Sequence, residues 1–293
     1  MKTIRALTAA GLAAAAYALY EPYRFRFTIK DVPVASDYPL TLLHLSDMHL
    51  HRRSGRLTSW LERLGDSLVD TPDVVVCTGD MIEDDDGIDA AIATLNAFPA
   101  RLGRFYVLGS HDYYASEFKP YTRYFEASTR PGTTRPADTA RLREGLESDG
   151  WIPLLNTSHV LDTTGGRLRF AGVDDPYLKR HRTEHIERGA DDVLAIALVH
   201  TPDVVSEWIL AGFDLVLAGH THAGQVRLPL FGAVVTNCSL PSDLAGGLNR
   251  VGSGWLHVSP GLGTGKFAPI RFGCRPEATL LRLRPEWSSQ RDA

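Results

Sequence analysis

Five apolar runs in this chain, each of strand length, end in residues that bind metals or meet phosphates. Residues 42–45 lead into Asp47 and His49, 74–78 into Gly79 and Asp80, and 105–108 into Gly109, Ser110, His111 and Asp112. Residues 194–199 lead into His200, and 215–218 into Gly219, His220, Thr221 and His222. No cysteine belongs to the set. In open α/β sheets ligands bind outside the carboxyl ends of the strands, where loops from several strands converge. A chain patterned this way has to bring those ends to one sheet edge, and a metal centre there is the economical reading.

With 293 residues, 44% of them hydrophobic, the chain can bury a substantial core. A formal net charge of −4 and the lack of a long basic run argue against a nucleic-acid partner, which needs clustered Lys and Arg. Cys77, Cys238 and Cys274 make no disulfide framework; Cys77 reads as a small strand hydrophobe, and a Cys238–Cys274 bridge stays open. At the amino terminus, Lys2 and Arg5 precede an Ala-rich apolar run over 6–20, with Glu21, Arg24, Arg26 and Lys30 beyond it. That run lies between a signal-peptide core and a comfortable span in length. Residues 1–38 are therefore read as a membrane anchor plus linker, ahead of a cleaved signal that would give a secreted form. Basic residues flank both sides and leave the orientation open.

Past Pro22, Pro33 and Pro39, apolar runs alternate with segments of helical period, the pattern of a sheet covered by helices. Leu57, Trp60, Leu61, Leu64 and Leu68 predict a helix over 56–69, and Ile92 and Leu95 a second over 88–98. Thr201-Pro202-Asp203 has the chemistry of a helix start: hydroxyl cap, proline at the first position, acid against the dipole. Residues 119–150 read as a surface insertion, 39–284 as one domain, and 285–293 as a polar tail.

Taken in order, Asp47-Met48-His49, Gly79-Asp80, Gly109-Ser110-His111-Asp112, His200 and Gly219-His220-Thr221-His222 resemble the calcineurin-like metallophosphoesterase family. The likeness spans about residues 40–283. Tyr113 and Tyr114, 218–225 and Gly261-Leu262-Gly263-Thr264 are similar to a subgroup of bacterial membrane-associated phosphodiesterases and a lipid A precursor pyrophosphatase. The resemblance implies an α/β fold of two facing mixed β-sheets flanked by helices, with two divalent ions at the sheet edge. It implies that Asp47, His49 and His222 hold one ion, that His200 and His220 hold the other, and that Asp80 bridges them. His111 is then the catalytic acid or charge stabiliser beside Asp80. The usual asparagine ligand is Ser110 here, a shorter and poorer donor. Nitrogen and oxygen ligands without thiolate fit Mn, Fe or Zn.

Two dications and two aspartates leave a net positive pocket suited to an anionic phosphoester. Ions about 3.5–4 Å apart lower the pKa of a shared water and stabilise in-line displacement at phosphorus. The implied substrate is a small phosphoester or pyrophosphate, with a lipid-linked one included. A non-catalytic metal- or phosphate-binding protein, degraded at Ser110, is the alternative; a two-metal C–N hydrolase fits less well. His44 and His159 read as structural. His51, Arg52 and Arg53 read as an exposed basic loop, and Asp112 as a turn cap or a partner of His111. Asp174 and Asp175 read as a turn or a substrate contact. Tyr113, Tyr114, Trp255 and Phe267 are read as packing aromatics that otherwise line an apolar mouth.

Overall fold

A computed structural model describes residues 1–116, 135–184 and 186–286. Most of the expected insertion before residue 135, and the tail beyond 286, lie outside the described residues. The first helix, α1 (Lys2–Tyr20), forms over the Ala-rich run. Among the described residues no helix is long and apolar enough to cross a membrane, so a spanning anchor is not what this helix offers.

The strands run β1 (Arg26–Val34), β2 (Leu40–Leu45), β3 (Val74–Cys77), β4 (Gly103–Tyr106), β5 (Trp151–Pro153), β6 (Thr157–Thr163) and β7 (Gly166–Gly172). They continue as β8 (Asp192–Leu198), β9 (Leu215–Ala218), β10 (Arg227–Leu228), β11 (Gly232–Ala233), β12 (Gly247–Val251), β13 (Gly254–Val258) and β14 (Glu277–Pro285). One six-stranded sheet has the order β1-β14-β2-β3-β4-β5, the other β12-β13-β9-β8-β7-β6, and β10-β11 is a separate hairpin. Both large sheets are mixed: β14 is antiparallel to β2, and β6 and β12 are antiparallel to their neighbours.

Alternation along the strands builds the layers. Leu42, Val74 and Val76 from one sheet meet Leu194, Ile196 and Leu198 from the other in a core between the sheets. The intervening Leu43, Leu45, Val75 and Cys77 face outward onto α2 (Gly55–Ser67), α3 (Ile88–Asn96) and α5 (Thr139–Ser148). On the other side Ala195, Ala197 and Val199 pack under Val205, Trp208 and Ile209 of α6 (Val205–Leu210). The result is the expected arrangement of two facing mixed sheets flanked by helices. Leu57, Leu61 and Leu64 form the buried stripe of α2, as the spacing predicts.

Three expectations are corrected. The stretch read as linker supplies β1, which among the described residues is an edge strand paired with β14 alone; an edge tolerates Pro33 because one row of its N–H groups is not needed for a ladder. Thr201 does not cap a helix with its hydroxyl: a 3-10 turn over Pro202–Val204 intervenes, and Thr201 Oγ1 donates to Asp175 Oδ1 at 3.3 Å instead. The three cysteines are free thiols, with no Cys238–Cys274 bridge.

Candidate metal centre

The carboxyl ends of β2, β3, β8, β9 and β13, and the loop after β4, meet at one rim. Backbone bonds hold these exit loops side by side. Asp47 N–H donates to Gly79 O and His49 N–H to Asp80 O, both at 3.0 Å, so the first two motifs continue the sheet past its last ladder pair. Gly219 N–H reaches His200 O at 2.9 Å, and Gly263 N–H reaches Asp47 O at 2.7 Å, which ties the rims of the two sheets together.

The turns are sharp. Asp47, His49, Asp80, His220 and His222 all have φ between 46° and 68°, a region that non-glycine residues seldom occupy. Such strain, of order 1–3 kcal/mol per residue, clusters where function requires it.

Side chains converge accordingly. Ligand atoms of Asp47, His49 and His222 lie within 4.8 Å of one another, as do those of Asp47, Asp80 and His200, and those of His49, Asp80 and His111. His49 Nε2 is 3.1 Å from His222 Nε2 and 3.7 Å from Asp80 Oδ2; His200 Nε2 is 3.4 Å from Asp80 Oδ2. The ring of His220 stands edge-on to His200 at 5.1 Å. Ser110 opens α4 (Ser110–Tyr113), whose His111 N–H donates to Asp80 Oδ1 at 2.8 Å. Asp47, His49, Asp80, His111, His200, His220 and His222 thus have side chains together at this rim, and Ser110 precedes His111 in the chain.

Outer partners fix the rings. His200 Nδ1 donates to Thr78 O at 2.7 Å, which turns Nε2 toward Asp80. That Nε2 is buried and has no hydrogen-bond partner among the described residues. His49 Nδ1 is 2.7 Å from Glu83 Oε2, the carboxylate–histidine arrangement that orients metal-ligating imidazoles. His220 Nε2 is 3.1 Å from Asn237 O. Arg271, fully buried, places Nη2 3.2 Å from His222 Nδ1 and donates to Gly263 O at 2.6 Å. Sequence reasoning missed Glu83 and Arg271, which belong to no strand-end pattern.

The electrostatics call for cations. Burial pushes the His49 imidazole down, but Glu83, Asp80 and Asp47 overcome this and hold it at about 9. His200 is likewise raised well above its ordinary value, burial being outweighed chiefly by Asp80. Asp80 sits well below the carboxylate range: burial raises it, and His200, His111 and His49 more than reverse this. In this cluster protons occupy positions that cations can take. His222 and His220 are kept neutral by burial, with neighbouring charges on His49 and His200 adding to it, as metal ligands must be. The donor set, the unpartnered His200 Nε2 and the two buried aspartates fit divalent ions of the Mn, Fe or Zn kind. His111 is also pushed down by burial, against the opposing pull of Asp80 and Glu83.

The remaining residues divide. Asp112 is a cap, accepting from Gly109 N–H at 2.9 Å and Met81 N–H at 2.8 Å. Trp255 is packing, its Nε1 donating to Pro33 O. Tyr113 donates to Asp174 Oδ1 at 2.8 Å, under the guanidinium of Arg180, while Asp175 accepts from the Tyr177 amide and the Thr201 hydroxyl. His51, Arg52 and Arg53 line a cavity of about 620 Å³ that opens beside His49, together with Tyr23, Phe25 and Lys266.

The calcineurin-like phosphoesterase family model matches residues 40–224. The uncharacterized metallophosphoesterase YkoQ of Bacillus subtilis (strain 168) is 29% identical over 251 residues, covering 83% of each chain. Phosphodiesterase YaeI of Escherichia coli (strain K12) is 26% identical over 250 residues, 84% of this chain and 82% of its own. A transmembrane protein with metallophosphoesterase domain from Bos taurus is 30% identical over 276 residues, 88% of this chain and 56% of its own.

Proposed function

The chain belongs to the calcineurin-like phosphoesterase family, and from that premise we propose that it is a dinuclear metal-dependent phosphodiesterase or pyrophosphatase acting at a membrane surface. The observation that carries the reading is the convergence of imidazole nitrogens and two buried carboxylates around Asp80, with His200 Nε2 unpartnered. Asp47, His49 and His222 would hold one ion and His200 and His220 the other, with Asp80 between the two groups and the Ser110 hydroxyl a further donor for the second. When bound, two such ions supply charge stabilisation at the phosphoryl group and a water acidic enough to attack it.

The protein's own residues do the positioning. Glu83 and Thr78 O set the rings of His49 and His200, and Asp80 is held by the His111 amide. His111, edge-on to His49 at 4.7 Å, is assigned to the phosphoryl and leaving oxygens. The cavity beside His49 has basic Arg52, Arg53 and Lys266 with apolar Tyr23 and Phe25, which suits a phosphoester that carries an apolar, lipid-like part.

Support for the membrane surface comes from two exposed apolar elements. Helix α1 presents Ile4, Leu7, Leu12 and Leu19 to solvent, and the β10–β11 hairpin presents Leu230 and Phe231. Both rest on Phe272, through the Tyr17 ring at 5.5 Å and through Arg227 N–H. On this reading the two elements would rest against the surface rather than span it.

The test is hydrolysis of bis(p-nitrophenyl) phosphate with Mn²⁺. Turnover lost on chelation and in Asp80→Ala is expected; absence of turnover with Mn²⁺, Fe²⁺ and Zn²⁺ alike contradicts the reading. Ser110 favours the second reading, a metal- or phosphate-binding protein without turnover. One tightly held ion and no hydrolysis, with activity restored in Ser110→Asn, would select it.

A further inference from the structure

Behind the metal centre a hydrogen-bond chain joins the two sheets, and none of the roles above uses it. His257 on β13 and His44 on β2 meet Nδ1 to Nδ1 at 2.9 Å. His44 Nε2 lies 2.9 Å from Thr78 Oγ1, Thr78 Oγ1 lies 2.6 Å from Ser46 Oγ, and Ser46 Oγ lies 2.5 Å from Asp47 Oδ2. His44, Ser46, Asp47 and Thr78 are each 0% exposed, as is His257, so water offers no alternative partners.

The chain has one consistent direction. An ionised carboxylate only accepts, so Ser46 O–H donates to Asp47. The Ser46 oxygen then accepts from Thr78 O–H, and the Thr78 oxygen from His44 Nε2–H. His44 Nδ1 is left as a lone pair, which accepts His257 Nδ1–H. Burial, with a smaller push from Lys30, takes His44 down to about 3, and burial and His44 take His257 well below its ordinary value. Each neutral ring therefore has one proton to give, as the direction requires. The chain ends at His257 Nε2, a buried nitrogen with no partner among the described residues.

We infer that His44, Thr78 and Ser46, terminated by His257, are positioning residues for Asp47: four aligned donors pin Oδ2 from behind and leave Oδ1 turned toward His222. The inference rests on the reading of Asp47 as a metal ligand. Oδ1 lies 3.6 Å from His222 Nε2. The His220 amide adds 2.9 Å and 3.1 Å bonds to the two carboxylate oxygens. Aligned donors polarise one another in a low-dielectric interior, so the last one grips more tightly than an isolated hydroxyl. No room remains for Asp47 to turn, because even a Cβ on Gly219 would overlap Ser46 Oγ and Asp47 Oδ2. Outer partners of this kind change metal affinity about 10–100-fold when removed.

The experiment is Mn²⁺ titration calorimetry on the full chain, comparing wild type with Thr78→Val, Ser46→Ala and Thr78→Ser. We expect one of two sites to weaken about 10–100-fold in Thr78→Val and Ser46→Ala, and Thr78→Ser to restore it. Histidine side-chain ¹⁵N NMR of the zinc-loaded wild type reads the direction independently, with the proton on Nε2 of His44 and on Nδ1 of His257. This measurement stands even if Thr78→Val fails to fold. Wild-type affinity in Ser46→Ala, or a His44 proton on Nδ1, overturns the positioning role alone. A wild type that takes up no metal overturns the metal-centre reading, and this role with it.

Discussion

Replacing Glu83 by glutamine removes one negative charge from behind His49 and almost no volume. Burial alone would raise the Glu83 carboxyl, but the His49 hydrogen bond and the charges of His49 and His111 hold it at about 2, against an ordinary 4.5. At 1.36 kcal/mol per pH unit, that gap is worth on the order of 3 kcal/mol of folding stability in the metal-free protein at neutral pH. Because the folded value is depressed, the contribution is complete above pH 4.5 and is lost as pH falls through about 2. Urea unfolding of metal-free protein should therefore show Glu83→Gln weakened at pH 7, with the difference shrinking toward pH 2. The same substitution should lower Mn²⁺ affinity about 10–100-fold, because Glu83 orients His49 Nε2 toward the ion. His49, held at about 9, must also give up a proton to bind. Wild-type affinity should accordingly rise with pH up to about 9, and Glu83→Gln should flatten that dependence. A variant with wild-type stability at pH 7 and wild-type Mn²⁺ affinity would refute the reasoning about Glu83.

Three further outcomes are expected. In Gly109→Ala the new methyl meets Asp80 Oδ1 and, at 2.7 Å, His200 Nε2, so metal content by inductively coupled plasma analysis should fall while circular dichroism stays native. Ser110→Asn should raise affinity for the second ion, read as a tighter second step in Mn²⁺ titration; unchanged binding would show that Ser110 is not at that ion. Glu277 is pulled down despite burial by Lys30 and Arg26, 3.2 Å and 2.6 Å away. Its stabilisation is present above pH 4.5 and lost below, so Glu277→Gln should lose less stability than wild type as pH drops from 5 to 3 in thermal melts.

What the sequence displayed was whatever lies close together along the chain. Asp47 and His49, or His220 and His222, are two residues apart beside apolar runs, so their place at strand ends was legible. Leu57, Leu61 and Leu64 declared the buried face of α2 by spacing alone. Partners far apart in sequence were not legible. Glu83 meets His49 from 34 residues away, and His44 meets His257 from 213 away, across the interface of two sheets. His44 looked like an ordinary core histidine because its own neighbours are apolar strand residues. Proline misled at β1, where Pro33 suggested a linker and an edge strand accommodates it. Strand ends shifted by a residue or two, as at β4, where the ladder stops at Tyr106 although Val107 and Leu108 remain buried and apolar.

The central claim is that strand ends from both sheets gather two cations about Asp80. Anomalous diffraction from crystals soaked in MnCl₂ tests it most directly. Two peaks about 3.5–4 Å apart, one near Asp47, His49 and His222 and the other near His200 and His220, with Asp80 between them, are the predicted result. A map with no anomalous peak within bonding distance of Asp80 would contradict the account.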